Sequence, residues 1–167
     1  MVVKPAHVIL VLVALQRGGE LIYAARNTVR IKQQGGVEFG HGHYPLIVLL
    51  HVSWLAAIAA GIQRDPTVRT LPLVLFVVLQ ALRLWIVVTL GRFWTTRVIS
   101  LPGAPLVDRG PYRYFHHPNY LVVVGEIATL PLVFGQVRTA LVFSLLNLAI
   151  LSWRIRVENE ALEPRRK

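Results

Sequence analysis

Five apolar stretches, at about 6–24, 44–62, 71–90, 119–134 and 138–156, constrain this chain more than any other feature. A helix crossing a bilayer needs about 20 largely apolar residues. The fourth stretch approaches that length only if it opens at His117 or Pro118. Charged residues make up 16% of the 167, well below the roughly 25% of soluble domains, and mean hydropathy is +0.55. The expected fold is all-α: an integral membrane helical bundle of about five transmembrane helices. Residues 1–90 carry three spans, and residues 91–167 carry two. Pro45, Pro72 and Pro118 stand near helix starts, where the missing N–H is tolerated. No internal repeat or linker is visible. Val8 to Leu15 could open a signal peptide, but Gln16-Arg17-Gly18-Gly19-Glu20 follows at once. A cleavable signal carries small residues there, so a retained helix is expected.

The net charge of +10 is read in such a chain as topology and lipid contact. No nucleic-acid-binding motif accompanies it, and no nucleic-acid partner is expected. With five spans, one side receives Arg26, Arg30, Lys32, Arg92, Arg97, Arg109, Arg113, Arg154, Arg156, Arg165, Arg166 and Lys167. The other receives Lys4, Arg64, Arg69 and Arg138, leaving Arg17 and Arg83 inside spans. The positive-inside rule then places the N-terminus outside and the C-terminus in the cytoplasm. The chain has no cysteine, which excludes disulfides, thiolate metal sites and Cys nucleophiles.

Polar groups inside apolar stretches need partners. Arg17 and Glu20 lie three apart on one helix face and can pair; they are a structural pair or a contact to ligand. Arg83 and Glu126 can find each other across helices, or Glu126 can face a substrate. His51 shares a face with Trp54, as a packing residue or a ligand. His41, His43, His116 and His117 suggest a metal, but His41-Gly42-His43 is on a Gly-rich loop and no Asp or Glu is spaced to complete a set. No metal is expected. Arg154 and Glu158 are four apart on one face, either a surface ion pair or a charged wall of a site.

The run Gly110-Pro111-Tyr112-Arg113-Tyr114-Phe115-His116-His117-Pro118-Asn119-Tyr120 is dense in aromatic, basic and imidazole groups at the mouth of an apolar helix. Such a cluster is unfavourable there unless it binds something. Orientation puts it on the same face as the C-terminal tail.

This run, followed after a helical hairpin by Arg154-Ile155-Arg156-Val157-Glu158-Asn159-Glu160-Ala161-Leu162, resembles the isoprenylcysteine carboxyl methyltransferase family. The family pattern is Gly-x-Tyr, then Arg-His-Pro-x-Tyr, then Arg-x-x-x-Glu. The resemblance covers roughly residues 90–162. Gly91-Arg92-Phe93-Trp94-Thr95-Thr96-Arg97-Val98-Ile99 is similar to a bacterial branch found beside type III polyketide synthases. It implies a bacterial inner-membrane enzyme, its active site facing the cytoplasm, acting on lipophilic small molecules that such a synthase supplies. It also implies a pocket for S-adenosylmethionine. Tyr112, His117, Pro118, Asn119, Tyr120 and Glu158 match cofactor-contacting positions, as do Arg97, Pro105, Leu106 and Val107 upstream. Arg154 matches a position beside substrate, and Arg154 and Glu158 are the implied catalytic pair. His116 stands where the family usually has Arg, and Asn159 where a second Glu is common. Many relatives carry a Gly-Tyr-rich basic tail beyond the point where this sequence ends.

The residues suit that chemistry. Aromatic faces hold a sulfonium and an adenine, and a carboxylate takes ribose hydroxyls or an amine. No Gly-x-Gly-x-x-Gly run follows a predicted strand, so a Rossmann site is not expected. A carboxylate acceptor needs only a cation such as Arg154 to orient it. A phenol or enol benefits from a base, for which Glu158, His117 and His116 are candidates. Two other readings stand beside a methyltransferase: a non-catalytic lipid-binding or scaffold protein of the same fold, and a related NADPH-dependent membrane reductase.

Overall fold

The computed structural model describes residues 4–40, 42, 44–63 and 67–163. It is an all-α membrane bundle of five helices: α1 (Pro5–Gln33), α2 (Tyr44–Gly61), α3 (Thr70–Leu90), α4 (Pro118–Val133) and α5 (Val137–Leu162). Four of them, all but α4, are long and apolar enough to cross a membrane. Among the described residues α4 is the exception, at 16 residues, or about 24 Å of helix against about 30 Å of hydrocarbon. It opens at Pro118, whose fixed φ suits the first helical position. Outward-facing Leu12, Leu15, Leu49, Leu84, Val88 and Leu145 are exposed, as lipid contact requires.

The first helix runs well past its apolar stretch, carrying Arg26, Arg30 and Lys32 on its last turns. After Gly19 no Gly or Pro follows until Gly35, at φ 89°. Two three-residue strands, β1 (Val37–Phe39) and β2 (Val98–Ser100), pair antiparallel with Glu38 opposite Ile99. They tie the α1–α2 connection to the α3–α4 connection and hold those helix ends at one end of the bundle. Asn27, buried on α1, completes the tie. Its Nδ2 donates to the carbonyls of Gly91 (3.0 Å) and Trp94 (2.9 Å), bracing the 3₁₀ turn that follows α3.

The main core joins Trp54 and Ile58 of α2, Phe76 of α3, and Ile127, Leu130 and Val133 of α4. Pro131 lies inside α4 and has no N–H to give the carbonyl of Ile127. The indole Nε1–H of Trp54 donates to that carbonyl instead, at 3.2 Å. In hydrocarbon an open carbonyl would be strongly unfavourable, so this contact lets α4 end abruptly inside the bundle.

The intramembrane charges form one network. Arg83 meets Glu126 through Nε (2.9 Å) and Nη2 (2.8 Å). Arg17 bridges Glu126 (2.8 Å) and Glu20 (3.0 Å), and Arg83 reaches Glu20 at 3.3 Å. Gln80 donates to Glu126 at 2.7 Å and accepts from Gln16 at 2.8 Å. Two cations and two anions thus neutralise one another across α1, α3 and α4.

Candidate active site

Two cavities meet where the bundle opens at the end that carries the strands. The larger, about 530 Å³, is walled by the 93–108 segment, the Tyr112–Tyr120 region and the end of α5. The smaller, about 180 Å³, lies between the helices among apolar groups such as Val48, Leu55, Val123 and Ile150. Trp94, Thr95, Asn119, Tyr120 and Arg154 line both.

Gly110 begins the 3₁₀ turn that delivers the polar run. Its φ is 57°, and a Cβ there would fall 2.7 Å from Thr89 Oγ1. Only glycine fits on both grounds. Arg109 Nη2 donates to the carbonyl of Thr89 at 3.3 Å, fastening the turn to α3. Beyond it, His117 stacks on Tyr120 with ring centroids 5.3 Å apart. His117 Nε2 lies 3.1 Å from Asn159 Oδ1, and its Nδ1 lies 3.6 Å from Glu158 Oε1. Asn159, where the resembled pattern often has Glu, thus engages the imidazole here.

Tyr120 is the hub. Its hydroxyl donates to Glu158 Oε2 and accepts from Arg154 Nε at 2.9 Å. Arg154 and Glu158 therefore meet through a phenol rather than as a direct pair. The Arg154 guanidinium is buried and also lies 5.7 Å from the centroid of the Tyr120 ring. Burial, and then the charge of Glu158, raise the Tyr112 phenol well above its ordinary pKa, so it stays a proton donor.

Arg97 is placed by groups that the sequence did not single out. Its Nη1 donates to Glu38 Oε1 at 2.5 Å, and its guanidinium lies 4.2 Å over the ring of Tyr44. Glu38 also pairs with Lys32. Burial alone would raise the Glu38 pKa, but the hydrogen bonds from Lys32 and Arg97 prevail and hold it below the ordinary value. Glu38 was hard to find because three residues of Val-Glu-Phe show too little alternation to mark a strand. Asn27 gave no signal beyond an ordinary span-end residue, and Trp94 stood within the 91–99 run without a role of its own.

Arg97, Pro105, Leu106, Val107, Tyr112, His117, Asn119, Tyr120, Arg154 and Glu158 all line the larger cavity, and His116 joins them. Pro118 is buried at the start of α4 and lines neither cavity. Glu126 also lines neither and stands in the intramembrane network. His51 lines the smaller cavity, with Nδ1 2.8 Å from the carbonyl of Ile47; since a carbonyl only accepts, the proton is on Nδ1. His41, His43, Arg64, Arg165, Arg166 and Lys167 lie outside the described residues. Asn119 Oδ1 and Trp94 Nε1, on the shared wall, are buried with no hydrogen-bond partner among the described residues.

Residues 72–164 match the isoprenylcysteine carboxyl methyltransferase family. The chain belongs to that family, and membership points to a membrane methyltransferase. It is similar to an uncharacterized protein, YpbQ, of Bacillus subtilis (strain 168), at 35% identity over 93% of this chain and 95% of the relative. It is also similar to an uncharacterized protein of Haemophilus influenzae, at 24% identity over 85% and 86% of the two chains. No solved structure matches.

Proposed function

We propose that this chain transfers a methyl group from S-adenosylmethionine to an oxygen of a lipophilic acceptor. The cofactor takes the larger cavity and the acceptor's head the smaller one. The observation that carries this reading is the shared wall: a more polar cavity and a more apolar one meet at Trp94, Thr95, Asn119, Tyr120 and Arg154.

The residues fit the cofactor. A cavity of about 530 Å³ is within the roughly 300–1,000 Å³ usual for small-molecule sites. Aromatic faces at Tyr112 and Tyr120 suit a cation. The carboxylate of Glu158 suits ribose hydroxyls or an amine, and the open Oδ1 of Asn119 asks for a donor, which an amine supplies. When bound, S-adenosylmethionine provides an electrophilic methyl group on a sulfonium.

The chain's own contribution is alignment and exclusion of water. Arg154, its Nε fixed by Tyr120, orients an acceptor carboxylate or stabilises a phenolate. For a phenol or enol, Glu158 is placed to take the released proton through the Tyr120 hydroxyl. The helix ends that hold the site face the cytoplasm, and the acceptor reaches the smaller cavity from the bilayer. Lipidic products of a type III polyketide synthase are one such acceptor class.

Calorimetric titration of S-adenosylmethionine into the purified protein tests the reading. Methyl transfer to prenylcysteines, alkylresorcinols and alkylpyrones follows. Absence of cofactor binding would sink it. Orientation is tested on a single cysteine at exposed Tyr114, introduced into this cysteine-free chain. A membrane-impermeant maleimide should label it only after the cells are opened.

A further inference from the structure

Two polar residues of the smaller cavity stand away from the wall it shares with the larger one: Asn147 is about 10 Å of helix from Arg154 on α5, and Arg17 of α1 reaches Glu126, about 9 Å along α4 from Tyr120. Both line that cavity. Arg17 Nε and Asn147 Nδ2 are buried N–H groups with no hydrogen-bond partner among the described residues. Asn147 is 4% exposed, so water does not serve it from outside. A buried donor inside hydrocarbon is unfavourable until something accepts from it. Two such donors on one cavity call for an acceptor atom in the ligand.

The charge balance says what kind. Arg17 and Arg83 are already matched by Glu20 and Glu126. An anionic ligand group would upset that neutrality, whereas an uncharged oxygen answers the two N–H groups and leaves it intact. Size adds a limit. A cavity of about 150 Å³ holds a benzene ring, so about 180 Å³ takes one substituted ring and little more.

We infer that the inner end of this cavity, at Arg17 and Asn147, recognises a second, uncharged oxygen on the acceptor's head. That oxygen is distinct from the one beside Arg154 that receives the methyl group. The inference rests on the transferase reading for the identity of the acceptor. Arg17 lies outside the stretch matched to the family, residues 72–164, so part of this selectivity comes from the N-terminal helix.

The test uses two lipids that share one alkyl chain and one phenol, the second also bearing a ring methoxy group. A methoxy oxygen accepts and is not itself methylated. Binding to the full-length protein in detergent, without cofactor, is read from the fluorescence of Trp54 and Trp94, which line the cavity. The methoxy lipid should bind about tenfold more tightly, the effect of a hydrogen bond to a buried donor. In Asn147→Leu the preference should fall below about threefold. Arg17→Lys keeps the charge in the network and removes the Nε–H, together with the paired Nη contacts to Glu20 and Glu126; any general weakening falls on both lipids, so their affinity ratio gives the same answer if leucine disturbs folding. Equal binding of the two lipids to the wild type, or an undiminished preference in both variants, overturns the inference. Methyl transfer is assayed in parallel. A binding preference without transfer to either lipid leaves the subsite standing and removes the transferase reading; equal binding with transfer to both does the reverse.

Discussion

Two charge clusters lie on α4 about 9 Å apart along its axis, one at Tyr120 and one at Glu126. The deeper cluster is closed: Glu126 receives both arginines and Gln80, and only Nε of Arg17 is left over. The shallower one is open. The Arg154 guanidinium is held by the Tyr120 hydroxyl and ring, with no carboxylate among the described residues in an ion pair with it. Asn119 Oδ1 and Trp94 Nε1 nearby have no hydrogen-bond partner among the described residues. Both clusters take charge out of water, but the deeper one spends that charge on holding three helices together. The shallower one leaves hydrogen-bonding capacity unused among the described residues.

The largest effect should come from breaking the closed cluster. Arg83→Leu leaves Glu126 buried with only Arg17 and Gln80 of its three partners, and loss of one member of a buried pair destabilises by about 3–5 kcal/mol. The thermal midpoint in detergent should fall accordingly. Replacing both, as Arg83→Leu with Glu126→Leu, should recover most of that loss, because Arg17 and Glu20 still pair. A double variant as unstable as the single would mean that the network does more than neutralise itself.

The open cluster should behave in the opposite way. Arg154→Ala and Glu158→Ala should lower methyl transfer by about 10²–10³-fold while moving the thermal midpoint little. Turnover retained in both would remove those roles. Tyr120→Phe keeps the ring that stacks on His117 and deletes the hydroxyl that joins Arg154 to Glu158. A loss of about tenfold is expected, the scale of one hydrogen bond, with kcat rather than KM carrying it.

Much of this contrast was legible in the sequence. Apolar stretches gave the helices, because hydrocarbon leaves the backbone little choice but to satisfy itself locally. Arg83 and Glu126 were visible as charges that had to find partners. What was not legible was which charges stay open. Arg154 and Glu158 read equally well as an ion pair, and only the arrival of Tyr120 from another helix separates them. The boundaries of α1 were missed because its polar last turns lack a breaker, and hydropathy marks the membrane rather than the helix. The strands were missed because three residues carry no period. With them went Glu38, whose meaning depends on a register set by residues some sixty positions away.

Glu38 gives the smallest of these effects, and it tests how the open cluster is held. It holds Arg97 without itself lining either cavity. Glu38→Gln keeps the shape and an acceptor oxygen but removes the charge, so the tether of Arg97 should weaken to a neutral hydrogen bond beside the contact with Tyr44. A rise of about three- to tenfold in the dissociation constant for S-adenosylmethionine is expected. The pH dependence follows from the direction of the shift. The folded-state pKa of Glu38 is held below its ordinary value by Lys32 and Arg97. Its stabilising contribution is therefore complete above the unfolded value, about 4.3. It is lost as pH falls through the lower, folded one. Between pH 8 and 5 Glu38 should add no slope to cofactor affinity. Below that range the wild type should lose affinity through this group, and Glu38→Gln should lack that component. If calorimetric titration finds the variant as tight as the wild type at neutral pH, the cation–π contact with Tyr44 suffices to place Arg97. The strand pair then serves the fold and not the site.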